Sequence, residues 1–245
     1  MLNIIVTGAS RGIGLAIAKR LVHSGYKVLG VARKMSDQFQ AAQAEFASQG
    51  KAGAMELLTF DLSDTGNIRA FVSDTRKAHG KVYGLVNNAA LGTDGLLAMM
   101  EDGKIDELLR VNVQAPIMLA KYVGRHMMAD GEGRIVNVGS IIGFTGYSGL
   151  SVYGATKSAM LGFTRSFARE VGRVGVTVNA VAPGFMATEM TSALGDGDRE
   201  QIARRAALKR LATPDDVAGA VDFLMGPTGK NITGTVLTVD AGATA

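Results

Sequence analysis

A doubly wound α/β domain, one parallel sheet with helices on both faces, is what this sequence predicts. Three observations point there. Seven short apolar runs rich in β-branched residues recur along the chain with little polar alternation, the pattern of strands buried on both faces. Longer stretches of helical periodicity separate them, so the order is βαβ repeated. The first run also leads straight into a glycine-rich turn that opens a helix.

Strands are expected at 3–7, 27–32, 55–60, 82–86, 134–140, 177–182 and 236–239. Helices are expected at 13–24, 38–49, 67–78, 104–128, 152–173, 199–209 and 215–224. The chain has 245 residues, with no Pro/Ser-rich linker and no break in composition, so residues 1–245 are read as one domain. The stretch 184–213 interrupts the alternation with polar, glycine-containing sequence and a basic helix. Insertions of that kind are often substrate loops.

Composition excludes several chemistries. With no Cys, there are no disulfides, thiol nucleophiles, iron–sulfur clusters or thiolate zinc sites. The three His are too scattered for a metal site, so none is expected. A net charge of +4, with acids interspersed, is not a nucleic-acid footprint. No apolar run approaches the roughly 18 residues of a membrane span, and Met1–Val6 has no signal-peptide pattern. A soluble, cytoplasmic protein is the expectation.

The turn reads Thr7-Gly8-Ala9-Ser10-Arg11-Gly12-Ile13-Gly14. Gly8 permits the tight turn, Gly12 lets the backbone approach a pyrophosphate, and Gly14 allows close packing of helix on strand. The helix start then holds the anion on its N–H groups and dipole. The second strand ends in Arg33 and Lys34, where an NAD site would carry an acid. Together with Arg11 they suit a 2′-phosphate, so NADPH is the expected cofactor.

Tyr153 and Lys157 stand four apart at the start of a predicted helix, on one face. Reducing a carbonyl needs a proton donor for the nascent alkoxide. Tyr, with a reference pKa near 10, becomes a better donor when an ammonium stabilises its phenolate. Ser140, ending the strand before, can hydrogen-bond the substrate carbonyl. Met186, Met190 and Leu194 recur on one helical face and could line an apolar pocket or pack the insertion down. The basic residues Arg199, Arg204, Arg205, Lys209 and Arg210 read first as a solvated face, second as an attraction to acidic carrier protein or coenzyme A phosphates.

These motifs resemble, in order and over essentially the whole chain, those of the short-chain dehydrogenase/reductase family. They are the glycine loop 7–14, Asp61-Leu62, Asn87-Asn88-Ala89-Ala90, Asn112, Ser140, Tyr153 with Lys157, and Pro183-Gly184. The resemblance implies a catalytic tetrad of Asn112, Ser140, Tyr153 and Lys157. Tyr153 would be the acid, Ser140 would orient the carbonyl, and Lys157 would bind the nicotinamide ribose and tune Tyr153. Asn112 would hold a water of the proton relay. It also implies cofactor contacts from Gly8, Ser10, Arg11, Gly12, Ile13, Gly14, Arg33, Lys34, Asp61 and Leu62 (adenine), Asn87 (ribose region), Ala89, Pro183, Gly184 and Thr188 (carboxamide).

Within the family, segments 9–14, 135–140, 182–190 and 232–234 are most similar to reductases of 3-oxoacyl groups carried on acyl carrier protein. That likeness implies reduction of a 3-oxoacyl thioester to the (R)-3-hydroxyacyl thioester, a homotetramer, and docking of the acidic carrier at Arg125. A second docking Arg would fall at Val174, with Arg173 one residue, or roughly 100° of helix, away. Ala90 and Leu150 replace a usual Gly and Gln beside the substrate pocket. A different ketone or alcohol is therefore the second reading. A non-catalytic NADPH-binding sensor is the third, disfavoured by the intact tetrad.

Overall fold

The computed structural model describes residues 1–186 and 196–245. Each apolar run becomes a strand: β1 (Asn3–Thr7), β2 (Lys27–Ala32), β3 (Met55–Thr59), β4 (Val82–Asn87), β5 (Gly133–Val138), β6 (Val176–Pro183) and β7 (Val236–Val239). All pairings are parallel, in the order β3-β2-β1-β4-β5-β6-β7. The direction of winding reverses between β1 and β4. Ligands of open α/β sheets bind outside the carboxyl ends of the strands at such a point.

The intervening helices are α1 (Gly12–His23), α2 (Asp37–Ser48), α3 (Ile68–His79), α4 (Asp102–Leu109), α5 (Ala115–Asp130), α6 (Ser151–Val171), α7 (Asp196–Arg205) and α8 (Pro214–Met225). Alternate strand residues divide the core into two layers. Ile4 and Val6 pack with Ile17, Leu21, Phe39, Val217 and Leu224 of α1, α2 and α8. Ile5, Leu29 and Leu85 pack with Val72, Leu119, Val123 and Ala168 of α3, α5 and α6.

One expected helix is two. Residues 104–128 are broken by a turn of π-helix at Arg110–Gln114, in which the Ala115 N–H reaches back to the Arg110 carbonyl. Asn112 sits at its centre and is buried. The basic helix begins and ends earlier than expected, and Lys209 lies beyond it in the left-handed region at φ 54°. Among the described residues no helix is long and apolar enough to cross a membrane.

Candidate active site

The glycine loop leaves the carboxyl end of β1 and is pinned from two sides. The Thr7 hydroxyl accepts from the Asn88 and Ala89 N–H groups at 2.9 and 3.0 Å, and the Asn88 carboxamide donates to the Thr7 carbonyl at 2.8 Å. The Ser36 hydroxyl donates to the Ser10 carbonyl and caps α2 through the Phe39 N–H. Gly8 is left-handed at φ +67°, and a Cβ at Gly14 would collide with the Gly8 carbonyl, so both positions require glycine.

Over the loop, Gly12 is at φ +55° with open space where a Cβ would stand. α1 begins there with no side-chain cap and no acid in its first turn. An uncapped helix start beneath open space fits the diphosphate of a dinucleotide. Arg33 and Lys34 are exposed just past β2, on the same side of the sheet end. Asp61, after β3, accepts from the Ser63 N–H at 2.9 Å and its hydroxyl at 2.8 Å. Those bonds, with a smaller contribution from Arg33, hold its carboxyl below the usual range. Leu62 is half-buried beside it.

Asn87 ends β4 as expected, and its side chain is buried. It shares the sheet face of Leu85 and donates to the Pro116 carbonyl (3.3 Å) and to Asn137 Oδ1 (2.9 Å). Its Oδ1 is buried and has no hydrogen-bond partner among the described residues. The partner that this motif gives the glycine loop is Asn88.

Three expected residues converge at the end of β5. Ser140 follows the strand, and its hydroxyl accepts from the Ile142 N–H at 3.2 Å. Tyr153 and Lys157 share one face of α6, with the Lys157 Nζ 5.6 Å from the centre of the Tyr153 ring. Lys157 is 5% exposed and donates to the Val138 carbonyl at 2.9 Å. Burial pushes the Tyr153 phenol up, and a hydrogen bond with Ser140 pulls it partly back. Burial also lowers the Lys157 ammonium from 10.5 to about 8. The net shift of the phenol is upward, because desolvation disfavours the charged form and the Ser140 bond is the one cause that lowers it.

Asn112 reaches the site from the π turn. Its Oδ1 accepts from the Leu91 N–H (2.7 Å), and its Nδ2 donates to the Leu91 carbonyl (2.8 Å) and to Thr156 Oγ1 (3.3 Å). Three bonds thus hold the Asn112 carboxamide between the loop after β4 and α6. Pro183 ends β6, and Gly184 packs so closely on Asp240 that a Cβ would lie 2.6 Å from that residue's own. Thr188, Met190 and Leu194 lie outside the described residues.

The mouth is apolar. Segment 144–150 runs from Ser140 to Tyr153 and carries the exposed Phe144 and Tyr147, the latter against Phe185 at 5.4 Å between ring centres. A backbone bond of 3.0 Å from the Gly95 N–H to the Gly149 carbonyl brings the exposed Leu96 and Leu97 alongside.

A parallel sheet with an anion loop at its switch point, and a Ser–Tyr–Lys cluster beside it, defines a dinucleotide-dependent oxidoreductase. The short chain dehydrogenase family matches residues 2–199, and this chain belongs to it. It is 41% identical over 238 residues, 97% of this chain and 95% of the relative, to the 3-oxoacyl-[acyl-carrier-protein] reductase FabG of Vibrio harveyi. It is 39% identical, with the same coverage, to the reductase of that name in Escherichia coli K12. A dehydrogenase/reductase from Sinorhizobium meliloti 1021 shares its fold at a TM-score of 0.91 and 37% identity, covering 100% of this chain and 95% of that one. A short chain dehydrogenase from Burkholderia cenocepacia J2315, solved in complex with NADP, does so at 0.90 and 37%, covering 100% and 98%.

Proposed function

We propose that the protein is an NADPH-dependent reductase of 3-oxoacyl thioesters carried on acyl carrier protein, yielding the (R)-3-hydroxyacyl thioester. The observation that carries this reading is the meeting of Ser140, Tyr153 and Lys157 at the end of β5, on a chain about 40% identical to such reductases over 97% of its length.

When bound, NADPH supplies the hydride. Gly8, Ser10, Arg11, Gly12, Ile13 and Gly14 would hold its diphosphate, and Arg11, Arg33 and Lys34 its 2′-phosphate. Asp61 and Leu62 would take the adenine. Asn87 would lie at the ribose region, and Ala89, Pro183, Gly184 and Thr188 would border the nicotinamide half. The Ser140 hydroxyl orients the substrate carbonyl, and the Tyr153 hydroxyl gives its proton to the forming alkoxide. Its raised pKa keeps that proton in place at neutral pH. The Lys157 ammonium, beside the ring, stabilises the phenolate left behind. Asn112 would hold a water of the proton relay.

The apolar mouth suits an acyl chain, and exposed Arg125 suits an acidic carrier, with Arg173, also exposed, as the second contact. A cytoplasmic location and a homotetramer go with this reading. A different ketone is the second reading, favoured by Leu150, half-buried where α6 begins and unable to hydrogen-bond a polar substrate group through its side chain.

The test follows NADPH or NADH oxidation by absorbance with acetoacetyl thioesters of carrier protein and of coenzyme A. NADPH should be preferred, and the carrier-protein thioester should react faster. Tyr153→Phe should lose turnover while still binding NADPH. Turnover retained in that variant removes Tyr153 as the acid, and no turnover on either thioester turns the search to other ketones.

A further inference from the structure

Thr156 lies between the two residues of α6 that do the chemistry, and it is wholly buried. A hydroxyl has one proton to donate and lone pairs to accept with. Here the proton goes to the Tyr153 carbonyl at 2.7 Å, one turn back along the helix. The oxygen accepts from Asn112 Nδ2 at 3.3 Å. One side chain therefore ties the turn carrying Tyr153 and Lys157 to the π turn carrying Asn112. Beyond that bond, the Asn112 carboxamide has both backbone groups of Leu91 as its partners. Thr156 is its one link to α6 through hydrogen bonds among the described contacts.

We infer that Thr156 is a positioning residue: its hydroxyl sets the Asn112 backbone against Tyr153 and Lys157 so that a proton can pass from the relay to the phenol. This rests on the active-site reading above. A π turn is a local irregularity of the helix, and such turns are frequent at functional sites. The Asn112–Leu91 bonds hold the π turn to the loop after β4, and the Thr156 bond holds it to the reacting residues. Without the hydroxyl, a buried amide N–H faces an apolar group, and the π turn can settle elsewhere. Displacements of about 1 Å at a reacting centre cost on the order of 100-fold in rate. Thr156 has no exposed surface to offer a ligand, so binding is spared.

The test is Thr156→Val, of the same shape without the hydroxyl, beside Thr156→Ser, which keeps it. Valine should lower kcat by about 10–100-fold. It should leave the KM for an acetoacetyl thioester and the NADPH Kd, read by fluorescence, within about twofold. Serine should restore kcat. In an Asn112→Ala background, Thr156→Val should cost little more, because the two act through one bond. Wild-type kcat in the valine variant overturns the inference, as does an equal loss in both backgrounds. Should the valine variant not fold, Thr156→Ala removes the same hydroxyl and is judged by the same two criteria. If wild-type protein reduces no ketone, or Tyr153→Phe keeps its turnover, the active-site reading fails and takes this inference with it. If Tyr153 proves essential and Thr156→Val is silent, only the inference fails.

Discussion

Lys157 shows what the site costs the fold. Its ammonium lies inside, with the Val138 carbonyl as its hydrogen-bond acceptor, and burial lowers its pKa from 10.5 to about 8. That drop corresponds to about 3 kcal/mol of destabilisation while both folded and unfolded chains are protonated, below pH 8. Between pH 8 and 10.5 the folded protein loses the proton and the unfolded chain keeps it. The unfolded state then binds more protons, so stability rises with pH through that window. Lys157→Met removes the charge but leaves the Val138 carbonyl without this donor, a loss of about 1–3 kcal/mol. The variant should therefore be more stable than wild type at pH 7, by roughly 1 kcal/mol, and lose that advantage by pH 10. Urea unfolding of the cofactor-free protein at both pH values checks it, and a stability difference independent of pH would contradict it. Its turnover should fall sharply, a trade of activity for stability.

Among the described helix starts, that of α8 is the most complete. The Thr213 hydroxyl accepts from the Asp216 N–H (3.2 Å), and the Asp216 carboxylate accepts from the Thr213 N–H (2.9 Å), a capping box ahead of Pro214. α8 carries Val217, Val221 and Leu224 into the core layer shared with α1, and none of the proposed reacting groups is on it. Thr213→Ala should cost about 1 kcal/mol, a Tm drop of roughly 2–4 °C in a chain of this size, with turnover unchanged. A thermal melt and one rate measurement decide it. The strands were legible in the sequence because parallel strands buried on both faces leave unbroken apolar runs, and β1, β2 and β7 fall where expected to the residue. The break between α4 and α5 was not legible, since hydrophobic periodicity tolerates one extra residue in a turn. Asn87 was readable by parity: two residues after Leu85, it had to face the α5 side. Thr156 left no periodic signal, because its role depends on Asn112, which the fold brings from 44 residues away.

Across the whole molecule, the proposed cofactor would span both halves of the sheet. The glycine loop, Arg33 and Asp61 follow β1, β2 and β3, whereas Ser140 and Pro183 belong to the ends of β5 and β6. A ligand bridging them binds the folded chain and not the unfolded one, so it stabilises by mass action. At a concentration 100 times its Kd the gain is about 2.7 kcal/mol. For a domain of this length that is a Tm rise of roughly 5–10 °C. NADPH should produce this shift, and NADH at the same concentration clearly less, because Arg33 and Lys34 offer a 2′-phosphate two cations and a 2′-hydroxyl no acid. Arg33→Glu should erase the difference by repelling the phosphate and giving the ribose of NADH a carboxylate. It should also weaken the pull on Asp61, to which Arg33 contributes. The melts need no turnover, so they test cofactor choice apart from any substrate. Equal shifts with the two cofactors in wild-type protein would show that the basic end of β2 does not select the phosphate.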